Sequence, residues 1–299
     1  MKKIITPTVV LALSGLFAYC LGGHSRNLWG YPIAWILVAY SLLLQVAVAI
    51  PSMIFNTEKY YDLTGSLTFI SITAIATFTN NTLAIEQIIA AGMVFAWAGR
   101  LGSFLFLRIL KVGQDSRFVA IKKTKIRFFY AWIIQGLWII VTIGPLLSVM
   151  ISNNLEQGGE LGLLEYAGIA LWVGGILIEI VSDAQKSSFN DNATNKDKFI
   201  SVGLWSYSRH PNYVGEITLW TGATIFAFSS LEGGQFITLI NPIFVYLLLS
   251  KLSGVPLLEA KAESKWGNDK DYQNYRQNTP VLFPFIKESS KPEGEKKSK

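Results

Sequence analysis

Residues 203–220 read Gly-Leu-Trp-Ser-Tyr-Ser-Arg-His-Pro-Asn-Tyr-Val-Gly-Glu-Ile-Thr-Leu-Trp and join a polar cluster directly to an apolar segment. The cluster supplies two phenols, a guanidinium, an imidazole, an amide and a carboxylate, from Tyr207, Tyr213, Arg209, His210, Asn212 and Glu216. Polar groups at the mouth of a membrane helix are costly to desolvate, so their presence there indicates a functional site. The stretch therefore predicts both a membrane helix and a site at its end.

The composition of the whole chain is that of a membrane protein. Of its 299 residues, 51% are hydrophobic and 15% are charged. Apolar runs of about 20 residues, each long enough to cross a hydrocarbon core, alternate with polar loops. One cysteine, Cys20, excludes an intrachain disulfide, and two histidines leave no zinc set, so we expect no metal. The net charge of +6 collects in one set of loops, which topology explains without nucleic acid.

Eight apolar segments are predicted to be transmembrane helices, and the count is seven if the short third segment is re-entrant or pairs closely with the fourth. They are residues 4–21, 33–55, 67–78, 83–107, 129–151, 161–181, 213–230 and 236–252. With a cytoplasmic N-terminus, the outer loops hold Arg26 alone among Lys and Arg residues, and Arg100 lies near the inner end of the fourth helix. Cytoplasmic loops are normally the basic ones. We therefore expect an all-α polytopic membrane bundle with both termini in the cytoplasm.

The domain organisation and the location follow from the same pattern. Residues 1–286 are expected to form a single integral membrane domain, and residues 287–299 a disordered basic tail without apolar periodicity. The expected location is the bacterial inner membrane, or the endoplasmic reticulum in a eukaryote. Residues 203–212 then face the cytoplasm, where soluble cofactors are. The oligomeric state is left open.

The motif has the chemistry of an anion site. A guanidinium at Arg209 binds phosphate through a planar fork, and the imidazole of His210 adds a second donor. Pro211 suits a first helical turn, whose free amide groups favour the same anion. Asn212, Tyr213 and Glu216 share one helix face. Asp183, at the inner end of the sixth predicted helix, could join them. Cations and carboxylates together predict a phosphate-bearing cofactor with ribose hydroxyls, a dinucleotide bound without a Rossmann fold.

Several ordered motifs resemble the steroid 5-alpha-reductase-like domain family, in its broad branch of poorly defined substrate. The resemblance covers about residues 58–286, which we call the reductase-like region. Its motifs are Tyr-Tyr-Asp-Leu-Thr-Gly-Ser-Leu-Thr (60–68), Trp-Ala-Gly-Arg-Leu-Gly-Ser-Phe-Leu-Phe-Leu-Arg-Ile (97–109), Gly-Gln-Asp-Ser-Arg-Phe (113–118), Ser-Asp-Ala-Gln-Lys (182–186), Leu-Ser-Gly-Val-Pro-Leu-Leu-Glu (252–259) and Tyr-Gln-Asn-Tyr-Arg-Gln-Asn-Thr-Pro (272–280), together with 203–220.

The resemblance implies a membrane enzyme in which NADPH enters from the cytoplasm and reduces an activated carbon-carbon double bond of a lipid-like substrate. By similarity, the cofactor positions are Asp183, Tyr207, Asn212, Tyr213 and Glu216, with Arg209 and His210 on the phosphate side and Tyr272 and Arg276 near the C-terminus.

Two positions depart from the family pattern. Asn190 stands where characterised members have an arginine, and Lys186 or Arg209 could take its place on the phosphate. Trp97 stands where they have a substrate-polarising tyrosine, and an indole donates a hydrogen bond but not a proton, which argues against a 3-oxo steroid. Conjugate reduction needs a donor on the carbonyl oxygen of the substrate. The candidate catalytic donors are Tyr60, Tyr61 and Arg100.

Two other functions remain open. Isoprenylcysteine and phospholipid methyltransferases, which use S-adenosylmethionine, carry a similar Arg-His-Pro-x-Tyr-x-Gly stretch, here residues 209–215. The motifs at 97–109 and 182–186 favour the reductase. A transporter or structural membrane protein would use the acidic residues as a relay, but such proteins commonly show repeated halves with broken helices, and no duplication is visible in this sequence.

Overall fold

A computed structural model describes residues 2–115, 117–155 and 159–284, with side chains from residue 7 onward. The named secondary-structure elements of the described residues are helices apart from one short hairpin. The helices are α1 Lys2–Gly22, α2 Ile33–Ile54, α3 Tyr61–Phe78, α4 Ile85–Val112, α5 Phe118–Ile121, α6 Lys125–Ile151, α7 Leu163–Asp191, α8 Pro211–Ala227, α9 Asn241–Leu247, α10 Val255–Trp266 and α11 Lys270–Asn278. Strands β1 Asn27–Leu28 and β2 Tyr31–Pro32 pair antiparallel across a turn with positive φ at both central residues, Trp29 and Gly30. The fold class predicted from the sequence, all-α, is confirmed.

Five helical segments are long and apolar enough to cross a membrane. They are Ile33–Ile54, Ile85–Val112, Lys125–Ile151, Leu163–Asp191 and Gly233–Trp266, and the last joins a 3-10 segment, α9, a π-helical segment at Leu248–Leu252 and α10. The other three predicted apolar segments lie in α1, in α3, and in α8 with the 3-10 turn that follows it. An integral membrane protein is therefore supported, whereas seven or eight spans and the cytoplasmic termini remain predictions.

The described chain divides into two compact units. Among the described residues, the first comprises those within 2–173 and 219–245, and the second comprises those within 174–218 and 246–284. The single domain expected over residues 1–286 remains a prediction. The tail expected at 287–299 lies outside the described residues.

Helix α6 forms the centre of the first unit. It packs against α1, α2, α3 and α4, and every residue from 139 to 151 is buried. A helix that is apolar on all sides is stable when other helices surround it. Side-chain hydrogen bonds add to this packing: Gln45 donates to Thr68 Oγ1 over 2.9 Å, and Gln135 donates to the Tyr61 carbonyl oxygen over 3.2 Å. Such bonds between helices are the usual supplement to van der Waals packing in a membrane.

Candidate functional site

The thirteen candidate site residues separate into two groups. The ten cofactor candidates all lie in the second unit, and the three catalytic candidates all lie in the first. The second unit contains the end of α7, the start of α8, the end of the Gly233–Leu252 run, and α10 and α11. The structure therefore gathers sequence motifs that are as far apart as 182–186 and 272–280 into one compact body.

The motif at 203–220 begins with a 3-10 turn that is fixed to the end of α7. Gly203 has a φ of +64°, and a β-carbon there would lie 2.6 Å from the amide of Gln185, so the position favours glycine. Gln185 Oε1 accepts a hydrogen bond from the Leu204 amide, 2.9 Å away. The buried indole of Trp205 donates to the Ser182 carbonyl oxygen over 3.1 Å. These contacts hold the motif beside the Ser-Asp pair of α7.

Lys186 contributes a cation at the same place. Its Nζ lies 4.5 Å from the centroid of the Trp205 ring, at a distance typical of a cation–π contact. Tyr207, two residues after Trp205, has an exposed ring, whereas Asp183 is buried. This arrangement is compatible with the prediction that Asp183, Lys186 and Tyr207 belong to one site. Their roles toward a cofactor remain predictions.

Glu259, on α10, binds both Arg209 and His210 of the motif. His210 Nε2 lies 2.8 Å from Glu259 Oε1, and Arg209 Nη1 donates to Glu259 Oε2. The His210 ring is buried and stacks on Tyr213, with ring centroids 5.6 Å apart and planes 16° from parallel. The sequence predicts that Arg209 and His210 face phosphate; in the structure one edge of each faces this carboxylate.

The remaining edge of each side chain has a defined chemistry. Burial lowers the pKa of His210 below its ordinary value of 6.5, although Glu259 acts in the opposite direction. In the neutral imidazole that satisfies Glu259, Nε2 carries the proton and Nδ1 is an acceptor. His210 Nδ1 and Arg209 Nε are shielded from solvent, and neither has a hydrogen-bond partner in the described part of the chain. Adjacent residues thus present one acceptor and one donor.

Close packing of α7 on α8 positions the acidic candidates. A β-carbon on Gly215 would lie 2.7 Å from both the Glu179 amide nitrogen and the Gly175 carbonyl oxygen, so the two backbones are in contact. Glu179 and Asp183 are buried on α7, one helical turn apart, and Glu216 follows the contact residue on α8. Small residues allow such close approach of membrane helices. The sequence predicts that Asp183 joins Asn212, Tyr213 and Glu216 of α8. The contact at Gly215 brings the backbones of α7 and α8 together near these residues.

Helix α11 and the segment after it support the motif from the C-terminal side. Tyr275 Oη donates to the Trp205 carbonyl oxygen over 2.6 Å, and the Arg209 amide donates to the Pro280 carbonyl oxygen over 2.9 Å. Tyr272 is buried in an aromatic cluster, 5.2 Å between ring centroids from Phe199. Burial raises the pKa of the Tyr272 and Tyr275 phenols. Tyr272 therefore packs in a core.

Arg276 is placed differently from the buried cations. Its Nη1 donates to Glu263 on α10 over 2.7 Å, and both side chains are about half exposed. A surface pair of this kind contributes little to stability. Arg276 remains a predicted cofactor residue, whereas its observed contact is an exposed ion pair between α10 and α11.

The catalytic candidates of the first unit have unequal surroundings. Tyr61 is buried against Phe118 and Trp132, with ring centroids at 4.7 and 5.0 Å, and its hydroxyl donates to the Ala131 carbonyl oxygen over 3.1 Å. Tyr60, the preceding residue, is exposed. The Tyr61 hydroxyl therefore already donates its one proton to a backbone carbonyl of α6. Arg100 Cζ lies 5.8 Å from the Phe104 ring centroid.

A network of charges surrounds Tyr61 where α3 begins. Arg117 Nη2 lies 2.9 Å from Asp62 and also binds Asp115, and Lys122 binds the buried Glu58. The two cations and hydrogen bonds to backbone amides lower the pKa of Glu58 and Asp115, although burial opposes this shift. The sequence motifs at 60–68 and 113–118 therefore meet in an ion-pair network.

Sequence reasoning missed Glu259 as a member of the site. The residue closes the motif at 252–259, and an acidic residue after an apolar run could have indicated a partner. Which cation it binds depends on the packing of α10, which the sequence does not give. Among the described residues, no group of three His, Cys, Asp or Glu side chains is arranged to hold a metal ion.

Comparison with known proteins gives the family. Residues 49–279, more than half of the chain, match the family described as "Protein of unknown function (DUF1295)". The chain is 29% identical over 119 residues to 3-oxo-5-alpha-steroid 4-dehydrogenase 1 of Rattus norvegicus, which covers 40% of each protein. It is 27% identical to the protein of the same name from Bos taurus, over 40% of this chain and 41% of the relative, and 29% identical to that of Macaca fascicularis, over 40% of each.

These matches bear on the resemblance seen in the motifs. The chain spans about 40% of the length of the curated relatives that it matches. No solved structure matches the chain significantly. The resemblance to the steroid 5-alpha-reductase-like family is confirmed at the level of the family. The chain belongs to the DUF1295 family, a steroid 5-alpha-reductase-like family.

Proposed function

We propose that this chain is a membrane-embedded, NADPH-dependent reductase that saturates an activated carbon-carbon double bond in a steroid-like or other lipid substrate. Its relatives are named as steroid dehydrogenases, which favours an oxidoreductase. The proposal includes seven or eight membrane spans with both termini in the cytoplasm, so that the second unit meets the soluble cofactor.

The observation that carries the proposal is the pair of shielded atoms His210 Nδ1 and Arg209 Nε. A dinucleotide offers both partners that such a pair requires, because ribose hydroxyls donate hydrogen bonds and phosphate oxygens accept them. His210 Nδ1 would accept from a hydroxyl, and Arg209 Nε would donate to a phosphate oxygen. This assignment refines the expectation from the sequence, in which both residues donate to phosphate.

The surrounding residues fit the other parts of a dinucleotide. Lys186 adds a cation beside Trp205, and Asp183 and Glu216 are carboxylates suited to ribose hydroxyls. Glu259 binds Arg209 Nη1 and His210 Nε2, and these contacts orient both side chains before a ligand arrives. Orientation of this kind lowers the entropic cost of binding. When bound, NADPH would supply the hydride that the reduction of a conjugated double bond requires.

An apolar groove supports a lipid-like substrate. The groove has a volume of about 560 Å³ and is open to its surroundings. It lies between the end of α7 and the segment before the motif, and Ile180, Ala184, Phe189, Ile200 and Val202 are among the residues that line it. Ligand pockets of this size and character are typical for apolar small molecules. The groove is next to Gln185, which anchors the motif.

The donor for the substrate carbonyl is proposed among the first-unit candidates. Negative charge develops on this oxygen during hydride addition, and a positioned donor stabilises it. Tyr60 and Arg100 are favoured over Tyr61, because the Tyr61 hydroxyl already donates to the backbone. Trp97 is buried, and its indole N–H has no hydrogen-bond partner in the described residues, so it is a further candidate donor.

Cofactor binding is tested on the purified protein in a neutral detergent. The melting temperature is measured with increasing NADPH, NADH and S-adenosylmethionine. We expect saturable stabilisation by NADPH, a smaller effect of NADH, and none of S-adenosylmethionine. Asn212→Ala and Glu216→Ala should lose the NADPH effect while keeping the melting temperature without ligand. Stabilisation by S-adenosylmethionine alone would establish the methyltransferase alternative and overturn the reductase.

Substrate reduction is tested by following NADPH absorbance with a panel of 3-oxo-4-ene steroids and acyclic enones. We expect oxidation of NADPH with at least one apolar enone and none with the matching saturated ketone. A saturable NADPH effect without any turnover across both classes would keep the cofactor assignment and contradict the substrate class.

A further inference from the structure

Arg26 lies in the first unit, between α1 and the short hairpin, where α3 and α6 end and α4 begins. Its backbone amide donates to the Ile151 carbonyl oxygen over 2.9 Å, and its Nη2 donates to the Ala76 carbonyl oxygen over 2.6 Å and to Thr79 Oγ1 over 2.7 Å. These bonds satisfy carbonyl groups at the C-terminal ends of α6 and α3, which have no intrahelical partner. Arg26 thus has a structural role that uses one side of its guanidinium.

The other side of the guanidinium is not used by the cap. Arg26 Nη1 is shielded from solvent and has no hydrogen-bond partner within the described ranges. Burial lowers the pKa of Arg26. A shielded cation is unfavourable without an acceptor for its donors or a compensating charge. The helix ends at Ala76 and Ile151 compensate only part of this charge, because a helix terminus carries about half an elementary charge.

Arg26 also lines a small polar cavity. Its volume is about 190 Å³, and the residues that line it are Arg26, Asn80, Thr82, Ala84, Gln87, Ser152, Asn153 and Leu155. None of these eight described residues is acidic. Asn80, Thr82 and Asn153 carry donors of the kind that bind oxyanions. The cavity is large enough for one phosphate group and smaller than the pockets that hold drug-sized ligands.

Gln87 acts as a fixed wall of the cavity. Its Nε2 donates to the carbonyl oxygens of Val149, Met150 and Ser152, each 3.3 Å away, and its Oε1 accepts from the Ala84 amide over 3.1 Å. These contacts join the start of α4 to the end of α6. The cavity is therefore bounded by helix ends that are already tied together, and a ligand would not have to order them.

We propose that this cavity, the Arg26 cavity, binds a phosphate group. The ligand would accept a hydrogen bond from the Arg26 guanidinium and bring negative charge to a cavity whose described lining contains no acidic residue. The phosphate could belong to a lipid headgroup at this membrane face or be free inorganic phosphate, since both present the same oxygens. The inference is independent of the proposed reductase activity, because it concerns the first unit and none of the cofactor candidates.

The test uses the full chain in neutral detergent, without NADPH. The melting temperature is measured with inorganic phosphate against chloride at equal ionic strength, and separately with a short-chain phosphatidylglycerol against an uncharged diacylglycerol. We expect a saturable rise with at least one phosphate compound. A rise with the lipid alone identifies a headgroup site, and a rise with both identifies a general phosphate site. The absence of a rise with either would overturn the proposal.

Two variants locate the effect. Arg26→Gln should abolish the rise, whereas Arg127→Gln, which removes an exposed cation at the start of α6, should retain it. Arg26→Gln also removes the α3 cap, so Asn153→Leu is the second test. It places an apolar side chain at the cavity and leaves the Arg26 hydrogen bonds to Ala76, Thr79 and Ile151 intact. A full phosphate response in Asn153→Leu and in folded Arg26→Gln would place binding elsewhere and overturn the Arg26 cavity.

Discussion

Glu259 Oε1 lies 2.8 Å from His210 Nε2, which fixes the direction in which the imidazole can act. With this contact made, Nδ1 is the ring atom left for a ligand, and the lowered pKa of His210 makes Nδ1 an acceptor in the neutral ring. The residue that resembles a phosphate donor in sequence is thus suited to a hydroxyl or amide donor. Arg209 is held by the same carboxylate, and its Nε has no hydrogen-bond partner in the described part of the chain.

Replacing Glu259 should impair both stability and cofactor binding. Glu259→Gln removes the charge that compensates the shielded guanidinium of Arg209, which costs about 3 kcal/mol when a buried pair is broken. It also frees the orientation of His210. We expect a lower melting temperature and a weaker NADPH response in the same titration. Glu263→Gln, which breaks an exposed pair with Arg276, is the matched control and should change neither by much.

Stability should depend on pH through His210. The pKa of His210 is lowered in the folded chain and ordinary, near 6.5, in the unfolded chain. Between these two values the unfolded chain binds more protons, so stability rises with pH in that window. The contribution is complete above about 6.5 and is lost as pH falls toward the folded-state pKa.

The measurement for His210 is the melting temperature from about pH 5 to pH 8, a range that brackets the ordinary histidine pKa. His210→Gln should show a shallower fall on the acid side than the unmodified chain. His24→Gln serves as a control for the second histidine. Parallel curves for the unmodified chain and His210→Gln would contradict the prediction.

The contact between α7 and α8 should be sensitive to one methyl group. Gly215→Ala puts a β-carbon 2.7 Å from backbone atoms of α7, so a helix must move. We expect a loss of about 1–3 kcal/mol, the usual cost of overpacking. Gly174→Ala, where a β-carbon meets nothing within 4 Å, should instead be neutral or stabilise α7 by up to about 1 kcal/mol. Thermal melting of both variants gives the comparison, and equal effects would argue against close packing.

Substitution by phenylalanine should affect stability and turnover differently at Tyr60 and at Tyr61. Tyr61→Phe loses the hydrogen bond to Ala131 and should cost about 1 kcal/mol of stability while leaving turnover nearly unchanged. Tyr60→Phe should leave stability unchanged because the side chain is exposed, and it should reduce turnover because it removes a hydroxyl proposed to donate to the substrate carbonyl. Loss of turnover in Tyr61→Phe without loss of stability would restore Tyr61 as the favoured donor.

The helical positions were predictable because apolar runs of membrane length have few alternatives. All eight apolar segments identified from hydropathy lie in helices, since backbone groups in a bilayer must be paired within the segment. The boundaries were less predictable. The third segment, expected over 67–78, begins at Tyr61 because Asp62 and the residues near it join ion pairs rather than solvent.

The chemical character of the candidate site was also predictable from the sequence. Arg209, His210 and Pro211 indicated a helix start with anion chemistry, and Pro211 does begin α8. The sequence does not show which edge of the Arg209 and His210 side chains lacks a partner. This depends on the Glu259 carboxylate, which is 50 and 49 residues away in sequence and lies on another helix. The same holds for Tyr61, whose hydroxyl is engaged by a carbonyl of α6.

The sequence by itself determined a helical membrane protein, its family and the chemical groups at the mouth of α8, because apolar length, charge asymmetry and motif composition are local properties. Only the tertiary structure decided that Glu259 holds Arg209 and His210, and that Arg26 caps α3 and α6 beside a polar cavity. Such pairings depend on which helix ends meet, and that follows from the packing of many residues together.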